Sequence, residues 1–276
     1  MKRYLRTLIL VSILSLAGIL CAQDSTPEKV TITLSDPSRP ASVNASLMEG
    51  GISVTGYEGK DVIVEAKPRG TRREAKATEK TEGMKRLINP NAGLRVTEEN
   101  NHVEIRTSSF TQPVDLTIQV PVKTALKLNC LNDGDIKVTR VQGEIEVNNT
   151  NGAVSLTDVA GSVVAHALNE DVVVSLTEAT PGKPMSFSSL NGKIDVTLPA
   201  AIKANVVIKS DNGEIFSDFD VKVDPSARKP VVEDSRGKGG KYKVTTDGAV
   251  YGTINGGGPQ IQFKAFNGDI FIRKGK

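Results

Sequence analysis

The second half of the sequence alternates apolar and polar residues after recurring Asn-Gly or Asp-Gly pairs. "NGKIDVTL" is one example, and "NDGDIKVT", "TNGAVSLT", "DNGEIF", "TDGAVY" and "FNGDIFI" are variants of it. Successive turn positions are 18, 18, 22, 21, 35 and 20 residues apart. Such a spacing indicates a repeat architecture. The turn positions are Gly134, Gly152, Glu170, Gly192, Gly213, Gly248 and Gly268.

A β-branched aliphatic residue stands two positions after each of these turns. Four positions after the turn the residue is again apolar, except at Ser217 and Gly252. This period of two predicts short strands that bury one face. The residues two positions after the turns are Ile136, Val154, Val172, Ile194, Ile215, Val250 and Ile270.

We therefore predict an all-β fold, a β-solenoid in which coils of about 20 residues form a single-stranded, β-helix-like stack. Weaker turns at Gly143, Gly161 and Gly258 divide the coils into two strands each. Each Asn-Gly pair is expected to supply the positive φ of a sharp corner. Since Asn-Gly also suits two-residue hairpins, the alternative is an antiparallel β-sandwich or meander. Coils are favoured because the strong corner recurs only at every second strand.

Residues 23–114 predict an N-terminal antiparallel β region. Alternating segments between residues 29 and 66, and a hairpin turning at Asn100 and Asn101, are typical of such strands. Residues 67–88 are rich in Lys and Arg and predict a basic loop or a short helix. We expect this region to cover one end of the repeat domain, residues 115–276, because exposed terminal coils need caps.

Residues 1–22 have the features of a secretory signal peptide, with early basic residues followed by a short apolar run. We expect no transmembrane segment after its removal. A lipid anchor at Cys21 is not expected, because Leu20 stands where lipoprotein signals place a small residue. Removal of three of the 35 Lys and Arg and none of the 32 Asp and Glu leaves 32 of each. This balance argues against nucleic acid as a partner.

The repeat motif also resembles a known family. "LNDGDIKVTRVQGEIEVNNTNGAVSLTDVAGSVVAHALNEDVVVSL", followed by "SLNGKIDVTLP", "SDNGEIF" and "FNGDIFI", is similar to the bacterial putative-adhesin domain of unknown function, related to adhesin-head domains. The resemblance covers about residues 115–276. It implies an exported β-solenoid-like domain and supplies no catalytic residues. Glu170 and the long interval before Gly248 depart from the pattern.

Two features of the repeat half are candidates for an interaction surface. Three positions after the last three turns stand Phe216, Tyr251 and Phe271, which would form an outer aromatic ladder if their coils are neighbours. The long interval contains an inserted loop, residues 222–243, with seven basic and three acidic residues. Alternatively, the loop is a solvated insertion, and the loop or the N-terminal half covers the aromatic row. The basic residues of the candidate surface are Arg228, Lys229, Arg236 and Lys238.

The sequence contains no recognised catalytic or metal-binding motif. His102 and His166 are the only histidines, and neither belongs to a zinc or nucleophile motif. Alternation places Cys130 in the core, where a thiol is inert. We expect no cofactor and no metal ion.

These observations predict an exported, non-enzymatic, adhesin-like or scaffold domain at the bacterial cell envelope, in the periplasm or on the cell surface. Its expected partner is an envelope protein or a glycan. The alternative is a polysaccharide-active β-helix enzyme, since parallel β-helices also carry such enzymes. An enzyme of that kind requires acidic side chains side by side in a groove.

Overall fold

The computed structural model describes residues 27–69, 93–107, 113–227, 231–234, 242–245 and 248–276. These residues form strands and one short 3-10 turn at Pro225–Ala227, which confirms the all-β prediction. The strands are β1 (Glu28–Thr33), β2 (Ala41–Glu49), β3 (Ile52–Tyr57), β4 (Asp61–Pro68), β5 (Leu94–Glu99), β6 (His102–Thr107), β7 (Val114–Pro121), β8 (Thr124–Asn132), β9 (Ile136–Thr139), β10 (Gln142–Asn149), β11 (Val154–Ala167), β12 (Val172–Ala179), β13 (Met185–Ser189), β14 (Ile194–Leu198), β15 (Ala204–Ser210), β16 (Ile215–Ser217), β17 (Lys222–Val223), β18 (Val231–Asp234), β19 (Tyr242–Thr245), β20 (Val250–Ile254), β21 (Gln260–Ala265) and β22 (Ile270–Lys274).

Twenty of these strands form one continuous sheet, and β18 and β19 form a separate two-stranded sheet. Within the large sheet the strands lie in two rows. The first row runs β5, β6, β2, β8, β10, β11, β13, β21, β15, β20, β17. The second row runs β1, β4, β7, β3, β9, β11, β12, β14, β22, β16. We call a pair of consecutive strands, one from each row, a rung.

Equivalent residues of the repeat pair with one another from rung to rung. Val154 pairs in parallel with Ile136 on one side and with Val172 on the other, and Val172 pairs in turn with Ile194. All four side chains are fully buried in one hydrophobic core. The hairpin alternative requires antiparallel neighbours, whereas these strands are parallel.

The spatial order of the rungs differs from their order in the chain. The last rung, β21 and β22, lies between the rung β13–β14 and the rung β15–β16. Phe263 therefore pairs with Phe187 on one side, and their rings stack with centroids 5.4 Å apart inside the core. The turn at Gly248 does not begin a parallel coil, because β20 runs antiparallel to β15. The expectation of simple sequential stacking is wrong at this end.

The expectation of an antiparallel N-terminal region also needs correction. β2 and β3 form a rung that is parallel to both of its neighbours, between β6–β7 and β8–β9. Strands on either side of the expected boundary after residue 114 thus pair directly. In residues 23–114 the antiparallel strands are β5, which covers β6, and β4 and β1, which extend the second row beyond β7. These strands lie at the end of the stack, where covers were expected.

The corner glycines are required by close backbone approach, and the prediction that they adopt a positive φ is wrong. Gly134, Gly152, Gly192, Gly213 and Gly268 all lie outside the left-handed region. A Cβ atom added to Gly152 would lie 2.1 Å from the carbonyl oxygen of Gly134, and one added to Gly192 would lie 2.2 Å from the carbonyl of Glu170. At Gly152 and Gly192 a side chain would collide with the backbone of the neighbouring rung, whereas the equivalent corner position 170 carries a Glu.

An unbroken row of asparagine side chains runs along the same corner. In each pair the Nδ2 of one residue donates to the Oδ1 of its neighbour, at 2.6 to 3.0 Å. Asn267 lies between Asn191 and Asn212. This order agrees with the position of the last rung between the rungs that carry those two residues. In spatial order the row is Asn132, Asn151, Asn169, Asn191, Asn267 and Asn212.

Several predicted segments lie outside the described residues. They are the signal peptide, residues 1–22, and most of the basic segment, of which residues 70–88 are not described. Lys67 and Pro68, its first two residues, end strand β4. Among the described residues, no helix has the length and apolar character needed to cross a membrane.

Substitution of Gly192 by Ala is expected to lower the stability of the fold by about 1–3 kcal/mol, because the new methyl group would overlap the Glu170 backbone. Thermal unfolding followed by circular dichroism measures this change. Gly248 also follows an Asp in the repeat motif, but no atom of the described residues lies within 4 Å of its added Cβ. Gly248→Ala is therefore the matched control and should leave Tm nearly unchanged. Equal losses in both variants would contradict the close-approach explanation.

Candidate interaction surface

Two of the three predicted aromatic residues form a stacked pair on the outside of the second row. Phe216 in β16 and Phe271 in β22 are register partners in a parallel pairing. Their ring centroids are 5.1 Å apart and the ring planes differ by 9°. Phe216 is 45% exposed, so the pair presents an apolar face to solvent. Parallel register explains the geometry, because it places equivalent outward side chains directly beside each other.

A charged pair borders the two rings. The Arg273 guanidinium lies 5.3 Å from the centroid of the Phe271 ring, within the range of a cation–π contact. Its Nε and Nη2 atoms donate to the two carboxylate oxygens of Asp195 at 2.6 and 3.0 Å. This hydrogen-bonded carboxylate raises the pKa of Arg273. We call Phe216, Phe271, Arg273 and Asp195 the aromatic patch.

Tyr251 does not join this patch. It lies in β20, opposite Val207 of β15, and therefore belongs to the first row. The sequence prediction assumed that the Gly248 turn begins a coil like the others, and the antiparallel direction of β20 removes that assumption. The patch consequently contains two of the three predicted aromatic residues. The four predicted basic residues, Arg228, Lys229, Arg236 and Lys238, lie outside the described residues.

The aromatic patch lies at the last described strand of the second row. Among the described strands, β16 pairs only with β22. Ile215, the inward residue of β16, is 37% exposed, whereas its equivalents Ile194 and Ile270 are fully buried. The rung that carries Phe216 is thus the least enclosed part of the repeat, which leaves its side chains accessible.

The structure also contains an open apolar cavity that the sequence analysis missed. Its volume is about 440 Å³, and it lies at the corner opposite the asparagine row, between three loops. The loops are residues 179–185, residues 199–203 and residues 257–261. Apolar residues dominate the lining, among them Pro181, Met185, Pro199, Ile202, Pro259 and Ile261. We call this feature the proline cavity.

The cavity exists because the repeat lengthens at this point. Earlier strands turn this corner in two residues, Arg140 and Val141, or within the continuous strand β11. Five residues, 180–184, connect β12 to β13, and five more, 199–203, connect β14 to β15. The corresponding sequence signal was the change in turn spacing from 18 to 22 and 21 residues, together with the added prolines.

The remaining candidate chemistry of the sequence is structural in the described residues. The Nδ1 atom of His166 lies 2.7 Å from the Ser188 hydroxyl on the outer face of the first row. Three corner aspartates each accept a backbone N–H from the next rung at 2.9 to 3.1 Å. No group of three or more metal-ligating side chains occurs within the described ranges. The three corner aspartates are Asp135, Asp171 and Asp269.

Comparison with known proteins gives no family match, and a search among curated proteins also finds none. A crystal structure from Clostridium sporogenes, described as a putative cell adhesion protein, is similar at 12% identity and a TM-score of 0.48, over 91% of this chain and 100% of the other. A putative adhesin from Bacteroides fragilis is 13% identical with a TM-score of 0.32, over 90% and 97% of the two chains. Membership of the putative-adhesin family stays a prediction.

Cys130 is expected to resist alkylation in the folded protein. Its side chain is buried and its Sγ donates to the carbonyl oxygen of Gly50 at 2.8 Å. Burial raises the pKa of the thiol from 9.0 to about 11, so the reactive thiolate is scarce at pH 8. Mass spectrometry after iodoacetamide treatment should show label only in denaturant. Since the folded pKa is the higher one, this thiol also makes stability fall as pH rises from 9 towards 11.

Rapid labelling of the native protein at pH 8 would contradict the buried placement of this side chain.

Proposed function

We propose that this chain is an exported, non-enzymatic β-solenoid that acts as an adhesin-like or scaffold domain at the bacterial cell envelope. The aromatic patch is the observation that carries the proposal. Large apolar side chains exposed beside charged groups are typical of contact sites for other molecules. The N-terminal sequence, residues 1–22, supports export to the periplasm or the cell surface.

The parallel register supports the solenoid interpretation. Rungs that repeat their inward residues give a rigid scaffold, because each inner strand is held by hydrogen bonds to both neighbours. A rigid surface loses little conformational entropy when it binds a partner. Phe271 lies on β22, which pairs with strands on both sides, and the Phe216 ring stacks nearly parallel to the Phe271 ring.

The chemistry of the patch suits a glycan or an envelope protein. Flat aromatic rings can pack against the apolar faces of sugars or of partner side chains. Their large contact area makes this burial favourable in free energy. Arg273 supplies N–H donors and Asp195 supplies acceptors beside the rings. A site with both polar and apolar groups can fix the orientation of a bound partner.

The alternative of a polysaccharide-active enzyme receives no support from these contacts. A glycosidase-type mechanism requires one carboxylic acid and one carboxylate that act on the same bond. Asp195 accepts two hydrogen bonds from Arg273, and the corner aspartates accept backbone N–H groups. These carboxylates are engaged in holding strands and side chains in place.

Replacement of both Phe216 and Phe271 by Ala should abolish most of the binding to the partner, because it removes the exposed apolar face. The measurements are a pull-down of envelope components and a glycan array, both with the chain lacking residues 1–22. Tm should fall only modestly, since Phe216 is 45% exposed and Phe271 is half-buried. Tyr251→Ala, in the other row, is the control and should bind like the unmodified chain.

A large fall in Tm with unchanged binding would show that the two rings serve stability alone. Binding lost in Tyr251→Ala but kept in the double variant would place the contact surface on the first row.

A further inference from the structure

The proline cavity is lined mainly by apolar side chains and contains prolines in its walls. Met185, Ile202 and Ile261 line it, and all three are otherwise part of the buried core. Pro181 and Pro259 stand among the wall residues, and proline has no backbone N–H. Because the core side chains reach the cavity, a bound apolar group would extend the hydrophobic core.

Three backbone donors at the cavity are engaged by the turns that build it. The N–H of Lys183 donates to the carbonyl oxygen of Thr180 at 3.4 Å. The N–H of Ile202 donates to Pro199 at 3.0 Å, and the N–H of Gly257 donates to Ile254 at 3.1 Å. A sugar placed here would bury many of its hydroxyl groups against apolar side chains, which costs free energy. A hydrocarbon chain carries no such cost.

The charged residues of the lining differ in their partners. The Lys183 ammonium is held by the Glu144 carboxylate at 2.6 Å. Lys203, on the 199–203 loop, has no carboxylate within ion-pair distance among the described residues. Glu178, at the end of β12, also lines the cavity. A negatively charged group is therefore best placed beside Lys203 and away from Glu178.

We infer that the proline cavity binds a medium-chain fatty acid, with the aliphatic chain along Met185, Ile202 and Ile261 and the carboxylate at Lys203. The volume of about 440 Å³ lies within the range of small-molecule sites. At ~30 Å³ for each heavy atom, close to the volume of a water molecule in the liquid, it accommodates about fifteen heavy atoms. Decanoate, with ten carbons and two oxygens, fits within this limit. The aliphatic lining, without an aromatic residue, matches a flexible chain.

The inference goes beyond the proposed function, because the cavity and the aromatic patch share no residue. The three loops are each closed by their own hydrogen bonds, so the cavity is formed before a ligand arrives. A preformed site loses little binding free energy to the ordering of its loops and side chains.

Titration of the chain with decanoate, below its micelle concentration, tests the inference by methyl NMR. The Met185 and Ile261 methyl signals should shift and saturate. Octanoate, which is two methylenes shorter, should bind about tenfold more weakly. Lys203→Met should weaken decanoate to the level of 1-decanol and leave 1-decanol unchanged. Lys137→Met, a substitution on the second row, is the matched control and should have no effect.

Ala201→Trp should fill the cavity and remove binding of both decanoate and 1-decanol, with folding verified by circular dichroism. No saturable shift of the Met185 and Ile261 methyls in the unmodified chain would overturn the inference. Undiminished binding in a folded Ala201→Trp variant would also overturn it. Equal affinities for decanoate and 1-decanol, unaffected by Lys203→Met, would overturn the assignment of the carboxylate. The Phe216 and Phe271 double variant should bind decanoate normally, which separates this result from the proposed function.

Discussion

Close stacking of one rung on the next is the constraint on which the rest of this structure depends. Parallel neighbours lie about 4.8 Å apart, so every feature of one rung meets its copy in the next. Inside, β-branched residues such as Val154 and Val172 pack against each other. At the corner, Gly152 and Gly192 have no room for a side chain. Outside the corner, asparagine side chains repeat at the same spacing and form a chain of hydrogen bonds.

The repeat period made much of this fold predictable from the sequence. Alternation after each Asn-Gly pair identified the buried residues of the central rungs, and the spacing identified residues that pair. The order of the last rungs was not predictable, because Ile270 and Ile215 occur in nearly identical motifs. Nothing local to Ile270 indicates that it packs between Ile194 and Ile215. This order depends on contacts between parts of the chain that are distant in sequence.

The aromatic patch and the proline cavity also differ in how far the sequence predicted them. Phe216 and Phe271 could be found because both obey the repeat, and their contact depended only on adjacent rungs. Tyr251 was misplaced because a strand that reverses direction carries the same alternation as one that does not. The proline cavity appears only as extra residues between turns, and the length of a loop does not reveal what its residues surround. Where the sequence departs from the repeat period, the positions of the side chains could be found only from the three-dimensional structure.

The position of β21 and β22 sets the order in which this protein can be completed. The ribosome makes β21 and β22 after β13 to β16, yet they separate two rungs that were made earlier. The β15–β16 rung is joined to the rest of the stack only once the C-terminal strands occupy the gap between them. Folding from the N-terminus as the chain emerges must therefore stop before this point. Completion of the stack is therefore a late event that waits for β21 and β22.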